Sequence, residues 1–544
     1  MGTILRIIIL LTILYSSLWS TLLDQQLQSN LQYAQERVKS LYEMNSNRPL
    51  WIGHAKNLNV LMDSIENPYY NYKDKRFSLD TIEKYSHLLQ NSMDVNQNSQ
   101  ELAELDIALT KSYIALAKFI VKSDIDWDLV SSKLANLKEE QDIKAKWEMI
   151  IKSEASTSKL FNAIIKENIG DFFKSLTPLE SRHSQLIESL QKYRSMQDMA
   201  KIPYSKSFNG FKFGDMDDTI LTIKKRLVLE GDFPQKPAYD EYFNKELMYA
   251  MQSYKSRYNL EQNNLIDKIM IYYMNKPVHL QVQSIIDNLD KLKVFPNRFP
   301  NEYILINIPD FTMDYYRDGN SILHMNAVIG RDKRPTPIFS SSMTHLVLNP
   351  TWNIPENLVR RDLIPTLVKE PDYMDNHNIH VYNGWKSKSN IKNFDISKLI
   401  PYQDESKGHI PYRFVQLPGD DNALGRIKFM FPNKYSVYLH DTDNKSLFAR
   451  RYRVYSSGCM RIQKPFELLE TLKSRLKKRD IREIPKLRES LKTATMRFTN
   501  KLAVQTAYFT VFTRSGLTYF RKDIYGYDKF VRESVITENH SEGY

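Results

Sequence analysis

Two short stretches decide how the chain is read: Val437-Tyr438-Leu439-His440-Asp441-Thr442 and Tyr455-Ser456-Ser457-Gly458-Cys459-Met460-Arg461. The first puts a histidine at the end of a run rich in β-branched and aromatic residues, as a strand has. The second holds the chain's one cysteine, nineteen residues further on, with a glycine directly before it. These are the residue types of a thiol nucleophile site. The thiolate is the reactive species, and an adjacent imidazole lowers its pKa and shuttles the proton. Gly458 lets the backbone come close to a substrate, so the N–H groups of Gly458 and Cys459 are placed to meet an oxyanion. A lone cysteine is equally a small buried hydrophobe, and residue types alone leave both readings open.

Outward from these stretches the chain reads as β from about residue 295. Strands are predicted at 303–308, 323–329, 345–348 and 435–439, a helix at 465–478, and a last β-rich stretch at 504–512 and 519–520. Between 364 and 426 lies a polar insert dotted with aromatics, long enough for a lid or binding loop rather than a connector. Upstream, 27–200 is nearly free of glycine and helical. Leu102, Leu105, Leu109, Tyr113 and Leu116 recur at three or four residues, one face of an amphipathic helix. A second unit spans about 203–275, with helical pieces at 221–229 and 243–258 and a turn at 259–264. There Asn263 and Asn264 are expected to take the left-handed backbone that glycine usually supplies.

The 544 residues imply three or four domains and carry a net charge of +12. Sixteen glycines, with no GxxxxGK[ST] and no GxGxxG, disfavour a nucleotide enzyme. One cysteine excludes an intramolecular disulfide framework and a multi-cysteine metal centre. His377 and His380 lack the further ligands a metal needs, so no cofactor is expected. Basic residues concentrate only at 473–492, which reads as a solvated helix face, and nucleic acid is not an expected partner. Residues 4–23 are an apolar run with Arg6 before it and Asp24 after it, an export signal or a membrane anchor. Its small-x-small cleavage site is poorly formed, which favours the anchor. Everything downstream is then expected outside the cytoplasm, where a free thiol is a liability unless it has a task.

VYLHDT followed by SSGCMRI resembles the signature of the L,D-transpeptidases with the YkuD-type catalytic domain, and the likeness extends to their large, multidomain, YcbB-like branch. Leu348-Asn349-Pro350-Thr351-Trp352-Asn353-Ile354-Pro355 resembles that branch's NPxWxVP element, and Phe520-Arg521-Lys522-Asp523-Ile524-Tyr525-Gly526 its terminal FRxDxYG. Leu41-Tyr42 with Pro49-Leu50-Trp51, and Ala103-Glu104-Leu105-Asp106 with Leu109-Thr110, are similar to its N-terminal part. The resemblance implies an α+β protein in four parts. Residues 1–23 are the export or anchor segment, 24–200 an all-helical scaffold, and 203–278 a small peptidoglycan-binding-like helical unit. Residues 296–544 are a mainly β catalytic domain with a capping insert at about 364–426. The glycines of the peptidoglycan-binding turn are all replaced at 259–267, so the unit's fold is expected to carry over, with glycan or peptide binding and a plain spacer role both open.

The resemblance also implies a mechanism. Cys459 attacks the carbonyl at the L-centre of the third residue of a peptidoglycan tetrapeptide, terminal D-alanine leaves with a proton from His440, and a neighbouring stem amine takes the acyl group to form a 3→3 cross-link. An L,D-carboxypeptidase using water at the same site, or a catalytically silent wall-binding scaffold, are the alternatives. The backbone carbonyl at Asp441 is expected to orient the ring, with a side-chain role or a plain turn carboxylate both open. Tyr438, Ser457, Arg461 and Trp352 are candidate substrate-binding residues. Each has a structural alternative: a packed strand tyrosine, a turn hydroxyl, an ion pair and a core indole. Expected partners are peptidoglycan stem peptides, carbapenem-type inhibitors and an inner-membrane tether, with a periplasmic location.

Overall fold

The computed structural model describes residues 20–52, 54–85, 97–196 and 201–536. Most of the apolar N-terminal run therefore lies outside the described residues. Its last four residues begin the helix Ser20–Leu31, whose Leu23 and Leu27 are buried in the scaffold core, so the boundary expected at residue 23 falls inside a packed helix. Among the described residues no helix is long and apolar enough to cross a membrane.

The scaffold is helical because its sequence offers long amphipathic runs without glycine or proline. The helix Ser99–Lys122 is its axis, and Leu102, Leu105, Leu109, Tyr113 and Leu116 all face the core. Each such buried side chain contributes roughly 1.5–3 kcal/mol. Asp106 on the same helix is also fully buried, and it accepts from Tyr42 Oη at 2.7 Å and from the backbone N–H groups of Leu50, Trp51 and Ile52 at 2.9, 3.0 and 2.9 Å. Pro49-Leu50-Trp51 is thus a loop pinned to a carboxylate, and Trp51 Nε1 adds a bond to Thr110 Oγ1 at 2.9 Å. The N-terminal blocks that read together in sequence are this one knot.

The second unit has its own core around Ile223, Leu227, Leu247, Met251, Tyr254 and Met270. It is not purely helical, since Phe211–Lys212 and Leu265–Ile266 pair as a short antiparallel ribbon. The left-handed residue is Asn259 at φ +49°, not Asn263 or Asn264. The Asn263 side chain instead accepts from Leu265 N at 3.1 Å and donates to Asp267 at 3.0 Å, holding the turn that glycines would otherwise shape.

The C-terminal part is built on nine strands: β1 Glu302–Asn307, β2 Thr312–Arg317, β3 Asn320–Gly330, β4 Ser340–Leu348, β5 Ile427–Met430, β6 Leu439–His440, β7 Val454–Ser456, β8 Met460–Ile462 and β9 Ala494–Ala507. Their order is β7-β3-β8-β6-β5-β4-β9-β1-β2, and β2 pairs again with β3. The sheet therefore closes on itself, through a strand β3 long enough to pair with β2 along its first half and with β8 beyond it. Leu346, Phe429, Leu439, Met460, Ile462 and Val504 fill the interior. The predicted helix at 465–478 ends sooner, at Pro465–Leu472, and a second helix, Lys478–Glu489, follows it.

The insert begins earlier than the expected residue 364. Trp352–Asn353 pairs with Tyr412–Gln416, which pairs with Ile379–Asn383, and this three-stranded sheet has a separate core of Ile354, Leu363, Ile364, Val381 and Phe414. The whole chain is α+β, helical in its N-terminal region and mainly β at its C-terminal end.

Candidate active site

β6 and β8 are neighbours and parallel, with Leu439 opposite Met460 and His440 opposite Arg461. Leu439 and Met460 are fully buried in the interior. Strand alternation then places Tyr438, His440, Cys459 and Arg461 together on the other face. Two segments nineteen residues apart meet because the connection between them is a crossover, returning the chain beside β6 in the same direction. On the far side of β6, Lys428 of β5 stands opposite His440.

The imidazole is fixed by its neighbour's backbone: His440 Nδ1 lies 2.6 Å from the Asp441 carbonyl oxygen. That contact makes Nδ1 the donor and leaves Nε2 free to accept a proton. The Tyr438 ring meets the imidazole edge to face, centroids 5.6 Å apart. The Asp441 carboxylate is turned elsewhere. It accepts from Arg426 N at 3.0 Å and pairs with Lys445, and it packs so closely on Gly425 that a Cβ there would come within 2.5 Å of it. Its side chain serves the turn, and only its carbonyl serves the histidine.

The turn carrying Cys459 is held by groups the sequence did not single out. Ser456 Oγ donates to the Cys459 carbonyl at 2.6 Å and accepts from Gly458 N at 3.1 Å. Of the two N–H groups expected to meet an oxyanion, that of Gly458 is therefore already engaged. Gly458 has φ +113°, a conformation that side chains with a Cβ avoid, which is why glycine stands there. Thr336 Oγ1 donates to the Gly458 carbonyl at 2.9 Å, and Tyr525 Oη in turn accepts from Thr336 N at 3.2 Å and donates to the Gly330 carbonyl at 2.6 Å. The terminal FRKDIYG block thus supports the cysteine turn through two hydrogen bonds. Ser457 is exposed and accepts from Arg334, which also pairs with Asp362 of the insert. It holds the insert to the turn and makes no contact with the thiol.

Cys459 is half-buried, with the interior behind it, and a backbone hydrogen bond from Tyr438 reaches its sulfur. Burial pushes the thiol up to about 11, and the Arg461 and Lys428 cations pull against that. Burial, and then Arg461, push His440 down to about 3. The resting pair is thus a thiol and a neutral imidazole rather than the ionised pair that residue types suggested. A neutral imidazole is the form that accepts a proton.

Arg461 Nη1 bonds Thr442 Oγ1 at 3.2 Å, and its buried Nε has no hydrogen-bond partner among the described residues. Trp352 is half-buried and packs against the insert's own core. A cavity of about 740 Å³ is lined by Arg182, Tyr303, Tyr316 and Arg514 among others and contains none of the site residues.

The L,D-transpeptidase catalytic domain family, YkuD, matches residues 301–484, and the Scaffold domain family matches residues 36–190. A protein of Haemophilus influenzae named "Putative L,D-transpeptidase" is 32% identical over 293 residues, covering 54% of this chain and 58% of that protein. The match thus spans little more than half the length of that relative. Among solved structures, the chain is similar to an L,D-transpeptidase of Xylanimonas cellulosilytica at 9% identity and a TM-score of 0.18, covering 56% of this chain and 100% of the other. It is also similar to an L,D-transpeptidase of Stackebrandtia nassauensis at 11% identity and a TM-score of 0.21, covering 58% and 99%. The chain carries a YkuD L,D-transpeptidase catalytic domain behind a Scaffold domain.

Proposed function

We propose that this protein is a cysteine L,D-transpeptidase that acts outside the cytoplasm on peptidoglycan tetrapeptide stems and forms 3→3 cross-links. The observation that carries the reading is the in-register parallel pair β6–β8, which sets Cys459 and His440 on one face with Nδ1 of the ring already committed to the Asp441 carbonyl.

His440 Nε2 takes the proton of the Cys459 thiol as sulfur attacks the carbonyl of the third stem residue. The carbonyl π electrons move to oxygen, then return as the C–N bond breaks, and the imidazolium gives its proton to the departing D-alanine nitrogen. A thioester remains, and the energy of the broken amide is held in it, so no nucleotide is needed. An acceptor amine, losing its proton to the neutral His440, attacks the thioester. The thiolate leaves, regains a proton from the imidazolium, and a new amide joins two stems. Water in place of the amine gives the carboxypeptidase outcome.

Incubation with disaccharide tetrapeptide and mass analysis of the products tests this. Dimers lacking one D-alanine support cross-linking. Tripeptide monomers alone assign the protein to the hydrolytic reading, and no product, with no acyl adduct, to a silent scaffold.

A further inference from the structure

Across β8, β6 and β5, Arg461, His440 and Lys428 stand in one row on the site's face. The two cations flanking the histidine are not equivalent. Arg461 donates to Thr442, and the Asp443 carboxylate acts on it. Lys428 has no such partner: among the described residues no carboxylate pairs with its ammonium and no oxygen accepts from it. Its Nζ lies 5.5 Å from the Tyr438 ring centroid, and among the described residues Cys459, when ionised, is the anion that acts on it. Lys428 is nevertheless half-buried, and burial pushes its pKa down. Withdrawing an ammonium from water without a counter-charge is unfavourable, and buried charges are as a rule paired. The other ionisable groups near the row include Lys445, held on Asp441, Arg331, exposed with its N–H on the Ser456 carbonyl, and His345 and Arg497 on β4 and β9, and none of these is an anion. The face is therefore short of an anion beside His440.

We propose that Lys428 is the specificity-determining residue of the donor site, its ammonium receiving a carboxylate of the stem whose carbonyl Cys459 attacks. This rests on the transpeptidase reading above. Adjacent strands lie about 4.8 Å apart and residues rise about 3.3 Å along a strand, so Cys459, two strand spacings across and two residues along from Lys428, is roughly 12 Å from it at the backbone. A lysine stem and the bonds between the attacked carbonyl and a carboxylate bridge that gap. A tetrapeptide stem offers two such groups: the terminal carboxylate of the leaving residue and the side-chain carboxylate of the diamino acid.

The test compares three donors on the full chain: the free-acid tetrapeptide, the same peptide amidated at its terminal residue, and the same peptide amidated on the diamino-acid side chain. A charge-assisted pair of this kind predicts that Lys428→Met lowers kcat/KM for the free acid on the order of tenfold or more, mainly through KM. On one amide the loss vanishes, and that amide identifies the carboxylate. Lys428→Arg retains most of the activity, and Lys428→Gln repeats the Lys428→Met result with a polar side chain. Equal losses on all three donors mean that Lys428 acts on the thiol or the fold, and they overturn the inference, as does no loss on any. A wild-type protein acylated by none of the donors removes the transpeptidase reading and this inference together, whereas an active wild type with an unaffected Lys428→Met removes the inference alone.

Discussion

His440 and Asp441 are adjacent in sequence, and their roles divide at the peptide bond: the Asp441 carbonyl holds His440 Nδ1 at 2.6 Å, while the Asp441 carboxylate faces Arg426 and Lys445. The orienting group is a backbone atom that no substitution removes. Asp441→Asn is therefore expected to leave acylation of Cys459 within a few-fold of wild type while lowering stability by about 1–2 kcal/mol through the weakened turn. Acylation kinetics beside a denaturant titration check this, and a loss of acylation of a hundredfold or more with unchanged stability gives the carboxylate a direct part.

Ser456 holds both ends of the cysteine turn. Ser456→Ala removes the bond to the Cys459 carbonyl and the acceptor of Gly458 N, so acylation is expected to slow by about 10–100-fold with a stability loss of about 1–3 kcal/mol. Ser457→Ala, at an exposed hydroxyl bonded only to Arg334, is expected to have a smaller effect on both. Equal effects of the two substitutions contradict the assignment.

Asp106 predicts the opposite pattern, a stability defect far from the chemistry. Asp106→Ala leaves three buried N–H groups and Tyr42 Oη without their acceptor, and each unsatisfied buried donor costs about 1–3 kcal/mol. The melting temperature is expected to fall steeply, while the folded fraction keeps its Cys459 reactivity. A variant that melts like wild type contradicts the knot.

Two histidines are held neutral by burial: His440, and His183, which contacts the Tyr69 carbonyl at 2.6 Å, both pushed down to about 3. Their folded pKa lies below the unfolded ~6.5, so the unfolded chain binds more protons on the acid side. Stability from these groups is present above about pH 6.5 and is lost as pH falls towards 3, at most about 1.4 kcal/mol per pH unit for each histidine. Denaturation midpoints measured from about pH 7 to 5 are expected to fall, and His183→Gln is expected to flatten that slope. An unchanged slope contradicts it.

The candidate site was legible because its information is local: a strand ending in histidine, and a glycine before the one cysteine. What the sequence hid is cross-strand. Lys428 sits in Ile427-Lys428-Phe429-Met430, an ordinary alternating strand, and only the β5–β6 register puts it opposite His440. Ser456 and Ser457 are indistinguishable in type, and the turn decides that the first ties the backbone while the second faces Arg334. Thr336 and Tyr525 are far apart in sequence, yet Tyr525 bonds Thr336 N and the Gly330 carbonyl, and Thr336 bonds the Gly458 carbonyl. The sequence around Trp352 does not show that the insert's small sheet begins there, with the half-buried indole packed against that sheet's core. In the second unit, Lys255 binds both Asn263 and Asp267, so side-chain bonds replace the glycine-rich turn, and the strained residue moves to Asn259.

The central claim is that one sulfur, deprotonated by one imidazole, carries the acyl group. Intact-mass measurement after mixing with a tetrapeptide donor or a carbapenem tests it most directly. The account predicts a single adduct that maps to Cys459, is absent from Cys459→Ala, and forms at least a hundredfold more slowly in a folded His440→Ala variant. An adduct that persists in Cys459→Ala, or forms at the wild-type rate without His440, contradicts it.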